Sequence, residues 1–327
     1  MIITKTPFRM SFFGGGTDME LYFREYGGAV LSTTFDKYCY VTTRRLPQFF
    51  EYATEVVYSK TERVKRVDDI QHPAIRNAMK MLEVKDIRLT YEADLPARSG
   101  LGTSSSFAVG MLNSFYALKG EYVDKKRLAD DAIYLERVLC KEAGGWQDQI
   151  AASYGGFNKI TFDVNGYIVN PIIIGADRKK QLNDNLMLFF TGFTRLSSEV
   201  QKQNESVAGG KIAERKEMYE LVSEAEKILV NPMSDLNEFG RMLDYTWQLK
   251  KQTGKRISTD SIDLYYEKGI HAGALGGKLL GAGGGGFLLF YVPQEYQTKV
   301  KEEMRDLLHI PFKFENEGTR VIHYTSE

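Results

Sequence analysis

A strand, a glycine-rich loop and a buried helix follow one another between residues 86 and 118, and this order constrains the fold more than any other stretch. Residues 86–93 alternate apolar and polar side chains, as half-buried strands do, whereas residues 107–118 are mostly apolar. The loop between them has two glycines and then four hydroxyl residues at 103–106. Glycines let a ligand approach the backbone closely, and the unpaired N–H groups at a helix start bind phosphate. The sequence therefore predicts a phosphate-binding loop, although an ordinary N-cap after a glycine turn would have the same pattern.

Several families of nucleotide-binding proteins are excluded by their own motifs. The chain has no G-x-x-x-x-G-K-[ST] sequence, which argues against a P-loop NTPase. The V-A-I-K and H-R-D motifs of protein kinases are absent as well. A G-x-G-x-x-G match occurs at residues 281–286, but it runs directly into a predicted strand at 287–292. A dinucleotide-binding fingerprint follows a strand and opens a helix, so we reject that interpretation.

Length and composition restrict the class of protein further. The 327 residues suggest two domains, and the 43 basic and 43 acidic side chains cancel to a net charge of zero. Zero net charge argues against binding of nucleic acid or of an anionic membrane. Cys39 and Cys140 lie far apart and form no disulfide framework, and the four histidines lack the spacing of zinc ligands. Without a signal peptide or a long apolar run, we expect a soluble cytoplasmic protein.

Three acidic residues stand out, and each has a structural alternative. Asp18 follows three glycines and could be a helix N-cap. Glu136 adjoins the apolar face of a helix predicted over 124–143, so it is either a rim charge or a functional group that points inward. Asp148 follows a glycine turn at a predicted helix start, where it could simply complement the helix dipole.

Three motifs resemble those of the GHMP small-molecule kinases. Residues 7–18 fit P-x-R/K-x-x-x-x-G-x-x-x-D, residues 96–106 fit P-x-x-x-G-L-G-S-S-A, and residues 278–286 fit K-x-x-G-A-G-G-G-G. They occur in the family's order and the resemblance covers essentially the whole chain. It implies an α+β fold of two domains. A half like ribosomal protein S5 domain 2 would span residues 1–184, and a ferredoxin-like half would span 185–327, with the boundary in the polar stretch 178–185.

The resemblance also implies roles for individual residues. Asp148 would be the catalytic acid/base, and Arg9 would keep it ionised. Mg²⁺ would be held by Ser104 and Glu136. The residues expected to bind ATP are Pro96, Arg98, Gly100, Leu101, Gly102, Thr103, Ser104, Ser105 and Ser106. The residues expected to bind substrate are Gly14, Gly15, Gly16, Thr17, Asp18, Arg195, Gly283 and Gly284.

The substrate implied by the resemblance is a sugar that already carries a phosphate. Galactokinases and mevalonate kinases have Glu-His where this chain has Gly15-Gly16, which suggests a larger or anionic substrate. Residues 12–18, 145–149 and 191–195 resemble the D-glycero-D-manno-heptose 7-phosphate kinases, which phosphorylate the anomeric hydroxyl to give the 1,7-bisphosphate.

Other functions and partners stay open at this point. A kinase for L-fucose or another free sugar, and a catalytically silent sugar sensor on the same fold, are the alternatives. RNA binding is disfavoured by the zero net charge and by the lack of a basic patch interleaved with aromatic residues. We expect a small sugar or sugar phosphate as the only partner class, with no nucleic acid and no membrane. The oligomeric state is open, a homodimer being one option.

Overall fold

The computed structural model describes residues 1–97, 99–192, 211–254, 257–281 and 283–325. Within these residues the chain forms one sheet of nine strands and one of four. Arg98, Arg195 and a helix expected near 199–208 lie outside the described residues.

The nine-stranded sheet is built around a long second strand. Its path is β13-β1-β2-β5-β3-β4, and β6, β7 and β12 join it through β2. The strands are β1 (Ile2–Phe13), β2 (Gly28–Arg45), β3 (Thr54–Val57), β4 (Thr61–Val64), β5 (Ile87–Ala93), β6 (Phe157–Asp163), β7 (Gly166–Pro171), β12 (Phe314–Glu315) and β13 (Arg320–Tyr324). All strand pairs in it are antiparallel except β3 with β5. Strand β2 is rich in β-branched and aromatic residues, which suit a strand that is paired along most of its length.

The four-stranded sheet has the antiparallel order β11-β8-β10-β9. Its strands are β8 (Leu186–Gly192), β9 (Gly276–Leu279), β10 (Gly286–Tyr291) and β11 (Leu308–Ile310). The helices are α1 (Glu20–Tyr26), α2 (Pro73–Met81), α3 (Thr103–Leu118), α4 (Lys125–Ile133), α5 (Gln147–Tyr154), α6 (Ala176–Asp184), α7 (Ile212–Val230), α8 (Asn237–Gln252), α9 (Asp260–Ala272) and α10 (Gln297–Glu303).

Helix α3 is the buried helix that the sequence predicts, and it fixes the phosphate loop against the first sheet. It packs on β1, β2 and α5, and Phe107, Met111 and Phe115 belong to its core. Its N-cap is Gly102, whose positive φ of 73° is a left-handed conformation that suits glycine. The helix therefore begins at the glycine loop, close to the strand that carries Arg9.

Two local expectations were wrong. The polar stretch 178–185 is mostly helix α6 instead of a linker, and the Arg178 side chain donates hydrogen bonds to the carbonyls of Ile228 and Leu229 at the end of α7. A basic side chain there also complements the negative end of the helix dipole. The helix expected over 124–143 is shorter. Helix α4 continues as a π-helical segment at Tyr134–Leu139 and ends there.

The last strands return to the first sheet. Strand β13 pairs with β1, with Ile2 opposite Tyr324, and β12 pairs with β2. The division into residues 1–184 and 185–327 stays a prediction, and the end of the chain adds two strands to the sheet of the first half. Among the described residues, no helix has both the length and the apolar character required to cross a bilayer.

Candidate active site

Backbone segments from both sheets meet at the glycine loop before α3. A Cβ added to Gly100 would lie 2.3 Å from the carbonyl oxygen of Leu280, and one on Gly281 would lie 2.4 Å from the Cα of Gly100. A Cβ on Gly286 would likewise lie 2.3 Å from the Ser99 carbonyl oxygen. Such contacts need glycine on these faces of the two loops. The motif at 278–286 therefore packs directly against the predicted phosphate loop.

An ion pair between Arg9 and Asp148 lies beside this junction. Arg9 Nε and Nη2 are each 2.8 Å from Asp148 Oδ1, and Arg9 Nη1 donates to the Gly100 carbonyl at 2.7 Å. A Cβ on Gly102 would lie 3.4 Å from Asp148 Oδ2. Arg9 is buried in β1, while the Asp148 side chain is 24% exposed at the start of α5. The structure thus brings together the two residues predicted to be catalytic, next to the start of α3.

A second carboxylate, Asp18, is fully enclosed by the same loops. Its Oδ1 accepts a hydrogen bond from the Gly16 N–H at 2.9 Å, and its Oδ2 accepts one from the Gln147 N–H at 3.3 Å. Burial raises the pKa of Asp18, and the negative charge of Asp148 raises it further. Asp18 is not the N-cap of α1, because that position is held by Met19. Asp18 lies near Asp148, and its role in substrate binding stays a prediction.

The four hydroxyl residues at the start of α3 point in different directions. Ser104 is exposed, whereas Ser106 Oγ donates to the Pro7 carbonyl at 2.9 Å within the fold. Ser105 Oγ donates to Glu136 Oε2 at 2.7 Å, and Thr103 is buried. Ser105 is therefore the hydroxyl that contacts Glu136, and the binding of Mg²⁺ by Ser104 and Glu136 stays a prediction.

Glu136 points into the protein and is not a rim charge. It is 1% exposed, and the Gln149 side-chain amide also donates to its Oε2. Burial raises the pKa of Glu136, while the Arg137 guanidinium, 3.8 Å away, opposes that shift. Glu136 lies in the π-helical segment, a distortion that is often found at functional sites.

Other residues predicted to bind ligands are buried or lie at the edge of the loops. The buried Thr17 Oγ1 lies 2.8 Å from the Gly14 carbonyl oxygen and 2.9 Å from that of Ala29, and Leu101 is fully buried. The side chains of Thr17, Leu101 and Ser106 are thus enclosed by the protein. A Cβ on Gly16 would meet no atom within 4 Å, so open space lies beside it. Pro96 is partly buried at the entrance of the loop.

The remaining predicted glycines lie in the third glycine motif. Gly283 and Gly284 both have positive φ, 122° and 81°, and the Gly284 N–H donates to the Ile257 carbonyl. The loop between β9 and β10 is thereby held beside Ser99 and Gly100.

Two basic residues near the site were missed. Lys250 of α8 donates from Nζ to the Gly281 carbonyl at 2.6 Å. Arg215 of α7 is buried, and it interacts electrostatically with Asp18. Neither belongs to a motif. A signal was present for Lys250, because it follows Leu243 and Trp247 at helical spacing on the apolar face of α8.

The sequence is similar to those of sugar kinases with established names. It is 28% identical to D-glycero-alpha-D-manno-heptose 7-phosphate kinase of Campylobacter jejuni, with 98% of each chain covered. It is 27% identical to the bifunctional fucokinase/GDP-fucose pyrophosphorylase of Arabidopsis thaliana over 68% of this chain and 21% of that protein.

Solved structures and family models agree on the fold. The crystal structure of a D-glycero-D-manno-heptose 1-phosphate kinase from Bacteroides thetaiotaomicron superposes with a TM-score of 0.80, at 24% identity and full coverage of both chains. The family model for the GHMP kinases N terminal domain matches residues 67–156, and that for the GHMP kinases C terminal domain matches residues 219–310. The two matches span more than half of the sequence and lie in the expected order. The chain therefore belongs to the GHMP kinases and has their fold.

Proposed function

We propose that the chain is an ATP-dependent kinase that phosphorylates the anomeric hydroxyl of D-glycero-D-manno-heptose 7-phosphate. The observation that carries this proposal is the Arg9–Asp148 pair, placed beside Gly102 at the phosphate-loop end of α3. A proton acceptor next to a phosphate-binding helix start is what transfer from ATP to a hydroxyl group requires. The similarity to a heptose 7-phosphate kinase along 98% of each chain supports this choice of acceptor.

In the proposed mechanism Asp148 acts through Oδ2. Both contacts with Arg9 use Oδ1, so Oδ2 is the oxygen that faces Gly102. Oδ2 takes the proton of the acceptor hydroxyl while the oxygen of that hydroxyl bonds to the γ-phosphorus of ATP. The bond between the γ-phosphorus and the bridging β-phosphate oxygen breaks, and ADP is released. The Arg9 guanidinium orients the Asp148 carboxylate through its two contacts with Oδ1. The N–H groups at the start of α3 hold the phosphates.

The donor set near α3 fits a magnesium ion. Mg²⁺ in kinases is usually bound by one or two carboxylates and by substrate phosphates, and it neutralises charge on the phosphates. Glu136 is a single carboxylate beside the phosphate loop, Ser104 is exposed at the helix start, and Ser105 orients the Glu136 carboxylate. We therefore keep Glu136 and Ser104 as the proposed ligands.

Replacing Glu136 with Gln tests this site. The variant keeps the size of the side chain and a partner for Ser105, but it removes the charge that would bind Mg²⁺. We expect the Mg²⁺ concentration for half-maximal activity to rise by about 10–100-fold, as when a metal site is perturbed. Magnesium titrations at saturating acceptor measure this. An exposed carboxylate nearby, Glu142, gives the matched control Glu142→Gln, and an equal shift in both variants would refute the assignment.

The acceptor is tested with a coupled assay of ADP release at fixed ATP and Mg²⁺. The panel is D-glycero-D-manno-heptose 7-phosphate, the corresponding 1-phosphate, sedoheptulose 7-phosphate, mannose 6-phosphate, L-fucose and galactose. We expect turnover of the heptose 7-phosphate to exceed that of each other sugar by at least about tenfold, a difference in activation free energy of about 1.4 kcal/mol. Preferred turnover of L-fucose would leave a kinase with a different substrate. Silence across the panel with intact ATP binding would favour a sugar sensor.

A further inference from the structure

Lys250 occupies the point where the two halves of the site meet. It lies in the last turn of α8, and its Nζ donates to the Gly281 carbonyl at 2.6 Å. Gly281 packs on Gly100, whose own carbonyl accepts a hydrogen bond from Arg9. Lys250 is thus linked to the Arg9–Asp148 ion pair through the backbones of Gly281 and Gly100.

The Lys250 ammonium group lacks a carboxylate partner among the described residues. No acidic side chain there lies within 4 Å of Nζ, and the Gly281 carbonyl takes one of its three donors. Burial and the Arg9 charge lower the pKa of Lys250 to about 8, although Asp18 and Asp148 act in the opposite direction. A cation that is removed from water without a counterion is costly, and a bound anion would offset that cost.

The neighbouring cations are either paired with a carboxylate or more deeply buried than Lys250. Arg9 holds Asp148 and the Gly100 carbonyl, and Lys278 is buried with its Nζ donating to the Phe12 carbonyl at 2.7 Å. Lys250 is only partly buried and keeps two donors for a ligand. Among these three cations it is therefore the one suited to meet an anion that binds beside the glycine loops.

We propose that Lys250 binds a phosphate oxygen beside the glycine loops at Gly100 and Gly281 and is a further catalytic residue of this kinase. The phosphate has two sources under the proposed function, on which this inference rests. It is either the phosphoryl group that leaves ATP or the phosphate already present on the acceptor. In both cases the ammonium group neutralises phosphate charge beside Asp148, which stabilises the transition state or orients the acceptor.

Substitution by Gln separates the charge from the hydrogen bond. Lys250→Gln removes the positive charge but retains an N–H donor for Gly281, whereas Lys250→Arg retains the charge. The matched control is Lys251→Gln on the same turn of α8, because Lys251 Nζ faces Asp263 at 3.4 Å instead of the cleft. We expect Lys250→Gln to lose about 10²-fold in kcat/KM, as when one preorganised donor is removed, and the control to stay within about twofold.

The kinetic split identifies which phosphate is bound. A fall in kcat with both heptose 7-phosphate and an unphosphorylated sugar assigns Lys250 to the transferred phosphoryl group. A rise in KM for the phosphorylated acceptor alone assigns Lys250 to the acceptor phosphate. Equal, small changes in Lys250→Gln and Lys251→Gln would overturn the proposal.

Binding without an acceptor keeps this test independent of the substrate assignment. Calorimetric titration of wild type and Lys250→Gln with ATP and with ADP measures the contribution of the γ-phosphate. If that phosphate is the partner, the variant loses affinity for ATP by about tenfold and keeps its affinity for ADP. Equal losses for ATP and ADP would indicate that Lys250 only supports the Gly281 loop, which would also overturn the proposal.

The pH profile gives a readout that a structural role would not change. The charged form is the active one, so wild-type kcat/KM should fall as the pH rises through about 8, the pKa of Lys250. Lys250→Arg should lose this basic limb, because arginine stays charged. The groups that face Lys250 are Arg9, Asp18, Asp148 and Lys278. A basic limb that persists in Lys250→Arg would assign the titration to Lys278 and contradict the proposal.

Discussion

Replacing Asp148 with Asn is expected to lower kcat by about 10²–10⁴-fold and to leave the affinity for ATP nearly unchanged. A positioned general base contributes this factor, and an amide oxygen cannot accept the proton of the acceptor hydroxyl at neutral pH. Asn keeps the shape of the side chain and an oxygen that can accept the 2.8 Å contacts from Arg9. The substitution therefore removes the negative charge but preserves the packing. Steady-state assays with heptose 7-phosphate and calorimetric ATP titrations measure the two effects.

The control for this variant is Asp177→Asn. Asp177 also lies in the first turn of a helix, α6, and is exposed. Both substitutions remove a favourable charge from a helix N-terminus, a term of about 0.3–1 kcal/mol. Only the change at Asp148 removes a base. A loss of less than about tenfold at Asp148, or a similar loss in the control, would rule out its role as proton acceptor.

Gly100→Ala is the second change for which we expect a large effect. The new Cβ would lie 2.3 Å from the Leu280 carbonyl oxygen and 3.1 Å from the Gly281 Cα, and both are backbone atoms that cannot turn aside. The phosphate loop and the third glycine motif must then separate. A misplacement of about 1 Å in an active site costs about 10²-fold, so we expect kcat/KM to fall by about that factor.

A second glycine separates the clash from backbone strain. Gly120 has a φ of 75°, close to the 83° of Gly100, but a Cβ there would meet no atom within 4 Å. Gly120→Ala therefore has the left-handed strain of about 1–2 kcal/mol without the collision. Thermal unfolding should show a smaller loss of stability for Gly120→Ala than for Gly100→Ala, and only Gly100→Ala should lose activity. Equal activity in the two variants would mean that the contact between the loops is not required.

The sequence predicted best those features that a short stretch of chain encodes by itself. The loop before α3 needs its two glycines because a neighbouring backbone lies against it. The hydrophobic pattern shows a strand on one side of this loop and a buried helix on the other. The GHMP motifs pointed to Arg9 and Asp148, which are 139 residues apart and joined by a hydrogen bond in the structure. Their contact itself could not be predicted from spacing, and it came from the family resemblance.

The direction of each side chain was harder to predict. Successive residues of a helix are rotated by about 100°, so four hydroxyl groups in a row cannot share one ligand. Ser106 turns to the Pro7 carbonyl and Ser105 to Glu136, while Ser104 faces outward. Which hydroxyl meets which partner depends on how α3 is rotated against β1, and that rotation is set by tertiary packing.

Long-range contacts account for the other differences. Lys250 looks like a surface lysine unless its place on the apolar face of α8 is noticed, and its partner Gly281 lies 31 residues further on. The stretch around Arg178 is polar enough for a linker, yet it forms α6, and its Arg178 side chain binds carbonyls of α7 about 50 residues away. Propensity is a weak guide where such contacts decide the local structure.

The pairing of β13 with β1 brings the last described strand against the first. Arg9 lies on β1, which pairs with β2 along most of its length and with residues 320–324 at its beginning. The Thr319 N–H also binds the Ala152 carbonyl of the helix that carries Asp148. The strand that carries Arg9 and the helix that carries Asp148 are thus both held by the segment 319–324. A change in this short segment would therefore disturb both proposed catalytic residues, although it touches neither of their side chains.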